Sequence, residues 1–187
     1  MDEIKDRLGE YKFDFFTKLQ HYVGTELLFY GSIKRYDYFP SSSDIDITII
    51  TDNVTETITK AHHFLHVKKT DIKKIYQRLP NKSTNKSTNV IIGHKLKYND
   101  VDNDVSFDIL IYDEKYRQDV IQNIHDINNL PTYMIVILCI LKYMYYVFGL
   151  ISYGMYVYLK NFVFYCYFNG DVYYNKELTQ TIIVDNS

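Results

Sequence analysis

Asp44 and Asp46 stand one residue apart in Ser43-Asp44-Ile45-Asp46-Ile47, shortly after the pair Gly31-Ser32. Strand side chains alternate, so on a strand both carboxylates face one side. Two carboxylates sharing a face repel each other unless a cation lies between them. Paired carboxylates together with substrate phosphates are how proteins commonly hold Mg²⁺. A third carboxylate, Asp108, interrupts the β-prone apolar run Val105-Ser106-Phe107-Asp108-Ile109-Leu110-Ile111. Burying it unpaired would be costly, so a partner is expected. Taken singly, each of the three could equally be a solvated charge at a strand edge. Their joint occurrence with Gly31-Ser32 is what points to phosphate chemistry.

The elements that must position these groups are short strands. Glu26 to Tyr30 reads as a strand running into Gly31, where glycine permits positive φ or close approach to a ligand. Ser32 offers a hydroxyl and a backbone N–H to a phosphate oxygen. Ser41-Ser42-Ser43 follows Pro40 as a polar turn, and Ile45, Ile47 and Ile49 form the apolar face of the next strand, about 44–51.

Strand, Gly-Ser, spacer, Asp-x-Asp strand and a later strand-borne Asp resemble the nucleotidyltransferase superfamily of DNA polymerase β and the poly(A) polymerases. The residues that carry the resemblance are Gly31, Ser32, Asp44, Asp46 and Asp108. It implies two Mg²⁺ ions, with Mn²⁺ able to substitute, bridging the carboxylates and the triphosphate of an NTP. Asp44 and Asp46 would hold both ions. Asp108 would hold the one beside the attacking hydroxyl and help take its proton. Gly31, Ser32 and Ser43 would meet the nucleotide phosphates. Leu141-Lys142-Tyr143, followed by Gly149 to Gly154, is similar to the helix pair after the catalytic sheet in poly(A) and terminal uridylyl transferases. By that likeness Lys142 would bind a β- or γ-phosphate, with Ser152 as a helper. The likeness spans about residues 25 to 160. No separate RNA-binding domain and no helix-hairpin-helix signature accompany it, so it speaks for the catalytic core and not for a particular acceptor.

The chain has 187 residues, 47% of them hydrophobic, enough to bury a core. It has 20 Tyr, no Trp and one alanine, Ala61. Tyr, Ile, Asn and Lys have AT-rich codons, so the composition points to an AT-rich genome, such as that of a large DNA virus, an insect-borne microbe or a parasite. The same bias explains the tyrosines without a base-stacking role. Net charge is −2, unevenly spread. Residues 60–97 hold ten Lys or Arg, among them Lys68, Lys69, Lys73 and Lys74, against one acid, Asp71. A basic block beside an acidic metal site suits a polyanion, and those four lysines are the candidate nucleic-acid contacts. A solvated lysine-rich face is the plainer alternative. Cys139 and Cys166 make no disulfide or metal pattern, and the charged N-terminus has no signal-peptide core. An intracellular, cytoplasmic protein is therefore expected.

Ile4, Leu8, Tyr11, Phe15, Leu19 and Tyr22 recur at helical spacing. Thr55–His66 and Thr70–Leu79 read as helices, closed by Pro80. The tandem Lys-Ser-Thr-Asn of 81–89 reads as a mobile loop, and Val90–Tyr98 with Val105–Tyr112 as a hairpin. The acidic loop between them lacks the glycine and closing glutamate of a calcium loop. His62, His63 and His66 lack a further ligand at zinc spacing and read as a basic helix face. Tyr143 to Leu159 is uncharged and aromatic, near the lower length for a membrane span. Gly149, Ser152 and Gly154 interrupt it, which favours two buried helices, Pro131 to about Phe148 and Tyr153 to about Phe168. No membrane association is expected.

The expected fold is α/β (α+β), a small mixed sheet with flanking helices. Residues 1–125 would form the catalytic domain, and 126–187 a helical extension closing the nucleotide cleft. The expected activity is Mg²⁺-dependent transfer of NMP from an NTP to a hydroxyl, foremost a nucleic-acid 3′ end. Two alternatives stand beside it. One is a minimal enzyme modifying a protein or small molecule, antitoxin-like or making a second messenger. The other is a non-catalytic nucleotide-binding partner of a polymerase, and a protein partner is conceivable in either case.

Overall fold

The alternating isoleucines Ile45, Ile47 and Ile49 set strand β2 (Ile45–Thr51) into a five-stranded sheet. The others are β1 (Leu28–Tyr30), β3 (Ile72–Arg78), β4 (Val90–Asp100) and β5 (Val105–Asp113), in the order β1-β2-β5-β4-β3. β2 runs parallel to β5 and every other pair is antiparallel. This is the mixed sheet the sequence predicts. The computed structural model describes residues 2–40, 42–68, 71–78, 90–100 and 105–168. Lys69 and the tandem Lys-Ser-Thr-Asn lie outside them.

Register decides what each face carries. Ile45, Ile47 and Ile49 lie opposite Phe107, Ile109 and Ile111 of β5. All six are almost fully buried, on the face covered by α1 (Asp2–Val23) and α2 (Val54–Leu65). Burying each such side chain is worth roughly 1.5–3 kcal/mol. The opposite face carries the polar residues, Asp46 and Asp108 among them. A slip of one residue would send those carboxylates into the isoleucine layer.

α1 buries Ile4, Leu8, Phe16, Leu19 and Val23, while Tyr11 and Tyr22 are exposed, contrary to the predicted stripe. Gly9 leaves helical geometry at φ 74°, ψ 166° and breaks α1 at that point. α2 matches its prediction. Asn53 caps it, accepting the Glu56 N–H at 3.1 Å.

The helix predicted over 70–79 is instead strand β3. Ile72 lies opposite Leu96 on the helix-covered face, and Ile75 lies opposite Gly93 on the other. Both are buried. With both faces covered, the alternation of a strand vanishes, and Ile72 and Ile75 mimic a helical spacing.

A helix absent from the sequence reading, α3 (Arg117–Asn128), follows β5. It lays Val120 and Ile124 against Ile50, Ile91 and Tyr112, on the carboxylate side of the sheet. The domain boundary expected after residue 125 falls inside it. α4 (Thr132–Lys142) runs into a π-helical turn, Tyr143–Val147, and α5 (Tyr153–Tyr167) follows after a break. Among the described residues no single helix is long and apolar enough to cross a membrane; α3 and α4, each with its adjoining turn, pass by composition only as a pair bent by 74°.

Candidate active site

Asp46 and Asp108 lie directly opposite each other on the parallel strands β2 and β5. Neighbouring strands are about 4.8 Å apart, so the two carboxylates leave the sheet side by side. Asp44 sits just before β2, exposed, and its Oδ1 accepts a hydrogen bond from the Ser106 hydroxyl at 3.2 Å. The three line a cleft of about 420 Å³. The sheet and α3 form its floor and one side, and α4 and α5 face them across it.

Burial pushes the Asp46 carboxyl up to about 6. Lys160 on α5 pulls it down, Asp108 and Asp44 push it up further, and Lys95 on β4 pulls it down. The three acids and two lysines therefore share one electrostatic field. Asp108 Oδ2 pairs with Lys95 Nζ at 2.8 Å, while its buried Oδ1 has no hydrogen-bond partner among the described residues.

Gly31 opens a 3₁₀ turn, Gly31–Lys34, at φ 77°. A Cβ there would stand 2.7 Å from Asp46 Oδ2, so only glycine lets the turn lie against that carboxylate. The Gly31 N–H is not turned toward the cleft centre, because it donates to Asn128 Oδ1 of α3 at 3.0 Å. Ser32 is buried and lines the cleft.

Below the turn lies a buried ion-pair network. Arg35 grips Asp37 through Nε (2.8 Å) and Nη2 (3.1 Å) and donates from Nη1 to the Ile127 carbonyl at 3.0 Å. Burial opposes the Asp37 charge, but Arg35 and Lys142 outweigh it and hold the carboxyl below its usual range. Lys142 Nζ donates to the Asp37 carbonyl at 2.6 Å and to Ser43 Oγ at 3.1 Å, and lies 3.4 Å from Asp37 Oδ2. Burial, with Arg35 nearby, lowers the Lys142 pKa despite Asp37. Ser43 Oγ also accepts the Phe39 N–H at 3.1 Å. Lys142 thus pins the turn that leads into Asp44.

The structure brings Gly31, Ser32, Ser43, Asp44, Asp46, Asp108 and Lys142 to one cleft. It does not bring Ser152 there. That side chain is exposed and accepts the Met155 N–H at 3.3 Å, capping α5. Lys68 is exposed beyond α2, outside the cleft lining, and its N–H donates to Asp71 Oδ2 at 3.2 Å. Lys73 and Lys74 leave β3 on opposite faces, Lys73 opposite Lys95 and Lys74 opposite His94. The expected single basic patch is therefore split by the sheet. Sequence reasoning missed Lys95, Lys97, Lys160 and Asn128. Lys95 and Lys97 share a face with Asp108 through the β4–β5 register, which a pairing of the predicted hairpin would have exposed. Lys160 had no local signal.

The donor set suits a hard cation: carboxylate oxygens on one face, one of them buried without a partner. Among the described residues no group of three His, Cys, Asp or Glu is already arranged to hold an ion. Lys95 on Asp108 and Ser106 on Asp44 each engage an oxygen that an ion could use. Asp44, Asp46 and Asp108 are the residues that would hold it.

A cleft with adjacent strand carboxylates, a glycine turn against one of them and lysines around them is built to receive a phosphorylated substrate. No curated protein and no solved structure matches the chain. The model of the nucleotidyltransferase domain does match, over residues 13–130, a span that holds Gly31, all three carboxylates, the whole sheet and α3. With well over half of its length inside that match, the chain belongs to the nucleotidyltransferase domain family.

Proposed function

We propose that this nucleotidyltransferase uses Mg²⁺ to move NMP from an NTP to the 3′ hydroxyl of a nucleic acid, releasing pyrophosphate. The observation that carries the reading is the pairing of Asp46 with Asp108 at the cleft floor, with Asp108 Oδ1 buried and unpartnered. The hydroxyl oxygen forms a bond to the α-phosphorus as the bond to the pyrophosphate oxygen breaks. Two bound Mg²⁺ ions would lower the pKa of that hydroxyl and neutralise the pyrophosphate. Asp108 would help take the hydroxyl proton. Gly31 lets the turn approach closely, and the Ser32 hydroxyl meets a phosphate oxygen. Lys160, opposite the carboxylates, meets a β- or γ-phosphate, the part that the resemblance gave to Lys142. Lys142 acts by holding Asp37 and Ser43, and through them the approach to Asp44. Lys97, on the cleft face, and Lys73, beside Lys95, form the side from which a polyanionic acceptor enters.

The test is incubation with each labelled NTP, Mg²⁺ or Mn²⁺ and a short RNA or DNA, beside the Asp44→Asn and Asp46→Asn variants. Label on the nucleic acid, lost in both variants, is the expected result. Label on protein or a small product, with pyrophosphate released, would replace the nucleic-acid acceptor with the alternative acceptors. Turnover by the variants at the wild-type rate would remove the carboxylate mechanism.

A further inference from the structure

Lys95 holds Asp108 Oδ2 at 2.8 Å in a pair whose side chains are only 25% and 15% exposed. Lys95 satisfies one Asp108 oxygen and leaves Oδ1 buried without a partner, so the carboxylate remains short of positive charge or a donor. A divalent ion bridging Asp46 and Asp108 would come within a few ångströms of Lys95 Nζ. At that range a 2+ ion and an ammonium group repel strongly in a partly buried site. The lysine in its present place and an ion on Asp108 therefore oppose each other. Lys95 also lines the cleft beside Lys97 and across from Lys160, so a triphosphate entering it would offer the ammonium another anion.

We infer that Lys95 is a resident counter-cation of Asp108, displaced by the phosphates of an incoming nucleotide, so that divalent-ion loading at Asp108 is coupled to nucleotide binding. Before the nucleotide arrives, Lys95 offsets the repulsion among Asp44, Asp46 and Asp108. Once the phosphates take Lys95, Asp108 is left for the ion. The coupling is reciprocal: ion and nucleotide each raise the affinity of the site for the other. The inference rests on the nucleotidyltransferase reading of the three carboxylates.

The experiment is binding, without turnover. Mn²⁺ affinity of nucleotide-free protein is measured from the electron paramagnetic resonance of free Mn²⁺, for wild type, Lys95→Met, Lys95→Arg and Asp46→Asn. Binding of metal-free ATP in EDTA is measured for the same set, and circular dichroism checks the fold. Lys95→Met is expected to bind Mn²⁺ about tenfold tighter than wild type and metal-free ATP about tenfold more weakly. Lys95→Arg, which keeps the charge, should track wild type in both. Mn²⁺ affinity in Lys95→Met equal to or below wild type, with Mn²⁺ binding still lost in Asp46→Asn, would overturn the Lys95 inference alone. Tighter Mn²⁺ with unchanged ATP would remove the nucleotide from it. Mn²⁺ binding unaffected by Asp46→Asn would overturn the carboxylate site, and the Lys95 inference with it. If Lys95→Met does not fold, Lys95→Gln carries the same expectations.

Discussion

Asp46 makes the fold less stable without a cation, and the size of that penalty follows from its environment. Its carboxyl titrates at about 6 in the fold against an ordinary 3.8, chiefly because it is buried. An acid with a raised folded pKa binds its proton more tightly folded than unfolded. Stability is therefore greatest at low pH and falls as pH rises from about 4 to about 6, then levels off. Integrated over those two values, the ion-free penalty is about 1 kcal/mol at pH 4.5 and about 3 kcal/mol at pH 7.5. Asp46→Asn removes the titration. The variant should therefore gain about 2 kcal/mol relative to wild type between pH 4.5 and pH 7.5. Comparing two pH values cancels the pH-independent effect of exchanging a carboxyl for an amide. Urea denaturation of both proteins in EDTA across this range measures it. The same variant should lose turnover while its stability relative to wild type improves toward neutral pH. A stability difference constant between pH 4.5 and pH 7.5, or one that moves against the variant, would refute the argument.

Gly31→Ala should lower stability by about 1–2 kcal/mol from its left-handed φ alone, and the added Cβ, 2.7 Å from Asp46 Oδ2, should displace that carboxylate and abolish turnover; thermal melting and an NTP turnover assay read the two effects. Lys142→Ala removes a buried lysine from Asp37 and Ser43, and should cost about 3 kcal/mol in urea denaturation. A loss below about 1 kcal/mol would mean that the network does not depend on Lys142. Lys160→Ala should raise the KM for NTP about tenfold, because the cleft loses a cation opposite the carboxylates, and should lower stability at neutral pH, because Asp46 loses a cation that pulls its carboxyl down. A KM equal to wild type would take Lys160 out of phosphate binding.

The sheet and its carboxylates were legible because their signals are local. Ile45, Ile47 and Ile49 alternate with Asp44, Asp46 and Thr48 because one face of β2 meets the apolar core and the other lines the polar cleft, which gives a visible period of two. β3 fails that condition, since Ile72 and Ile75 are buried on opposite faces, and its lysines resembled the polar side of a helix. α3 did carry a signal: Val120, Ile124 and Ile127 are spaced by four and three. Its part in the site was beyond local reading, because the bond from Gly31 to Asn128 joins residues 97 apart in sequence. Lys95 is an intermediate case: it lies in the predicted hairpin, and only the register of that hairpin, not any local pattern, brings it to Asp108.

The apolar stretch after Pro131 shows how one pattern can be read from its charges. Between residues 131 and 168 only Lys142 and Lys160 are charged. As a sequence, the run suggests helices with no polar face, and the two lysines look like the flanks of a membrane segment. In the fold both lysines point into the cleft. Lys142 is 6% exposed and bound to Asp37, and Lys160 lies within the field of Asp46. Tyr146 and Tyr156, whose phenols burial raises above the usual range, line the same cleft as neutral groups. The segment thus turns its only charges inward, toward a site rich in carboxylates, the reverse of a surface helix. A helix lysine surrounded by apolar residues is costly to bury without an acidic partner. Asp37 is that partner for Lys142, while the half-buried Lys160 sits in the field of Asp46, so the carboxylate cleft supplies the reason that α4 and α5 keep their charges.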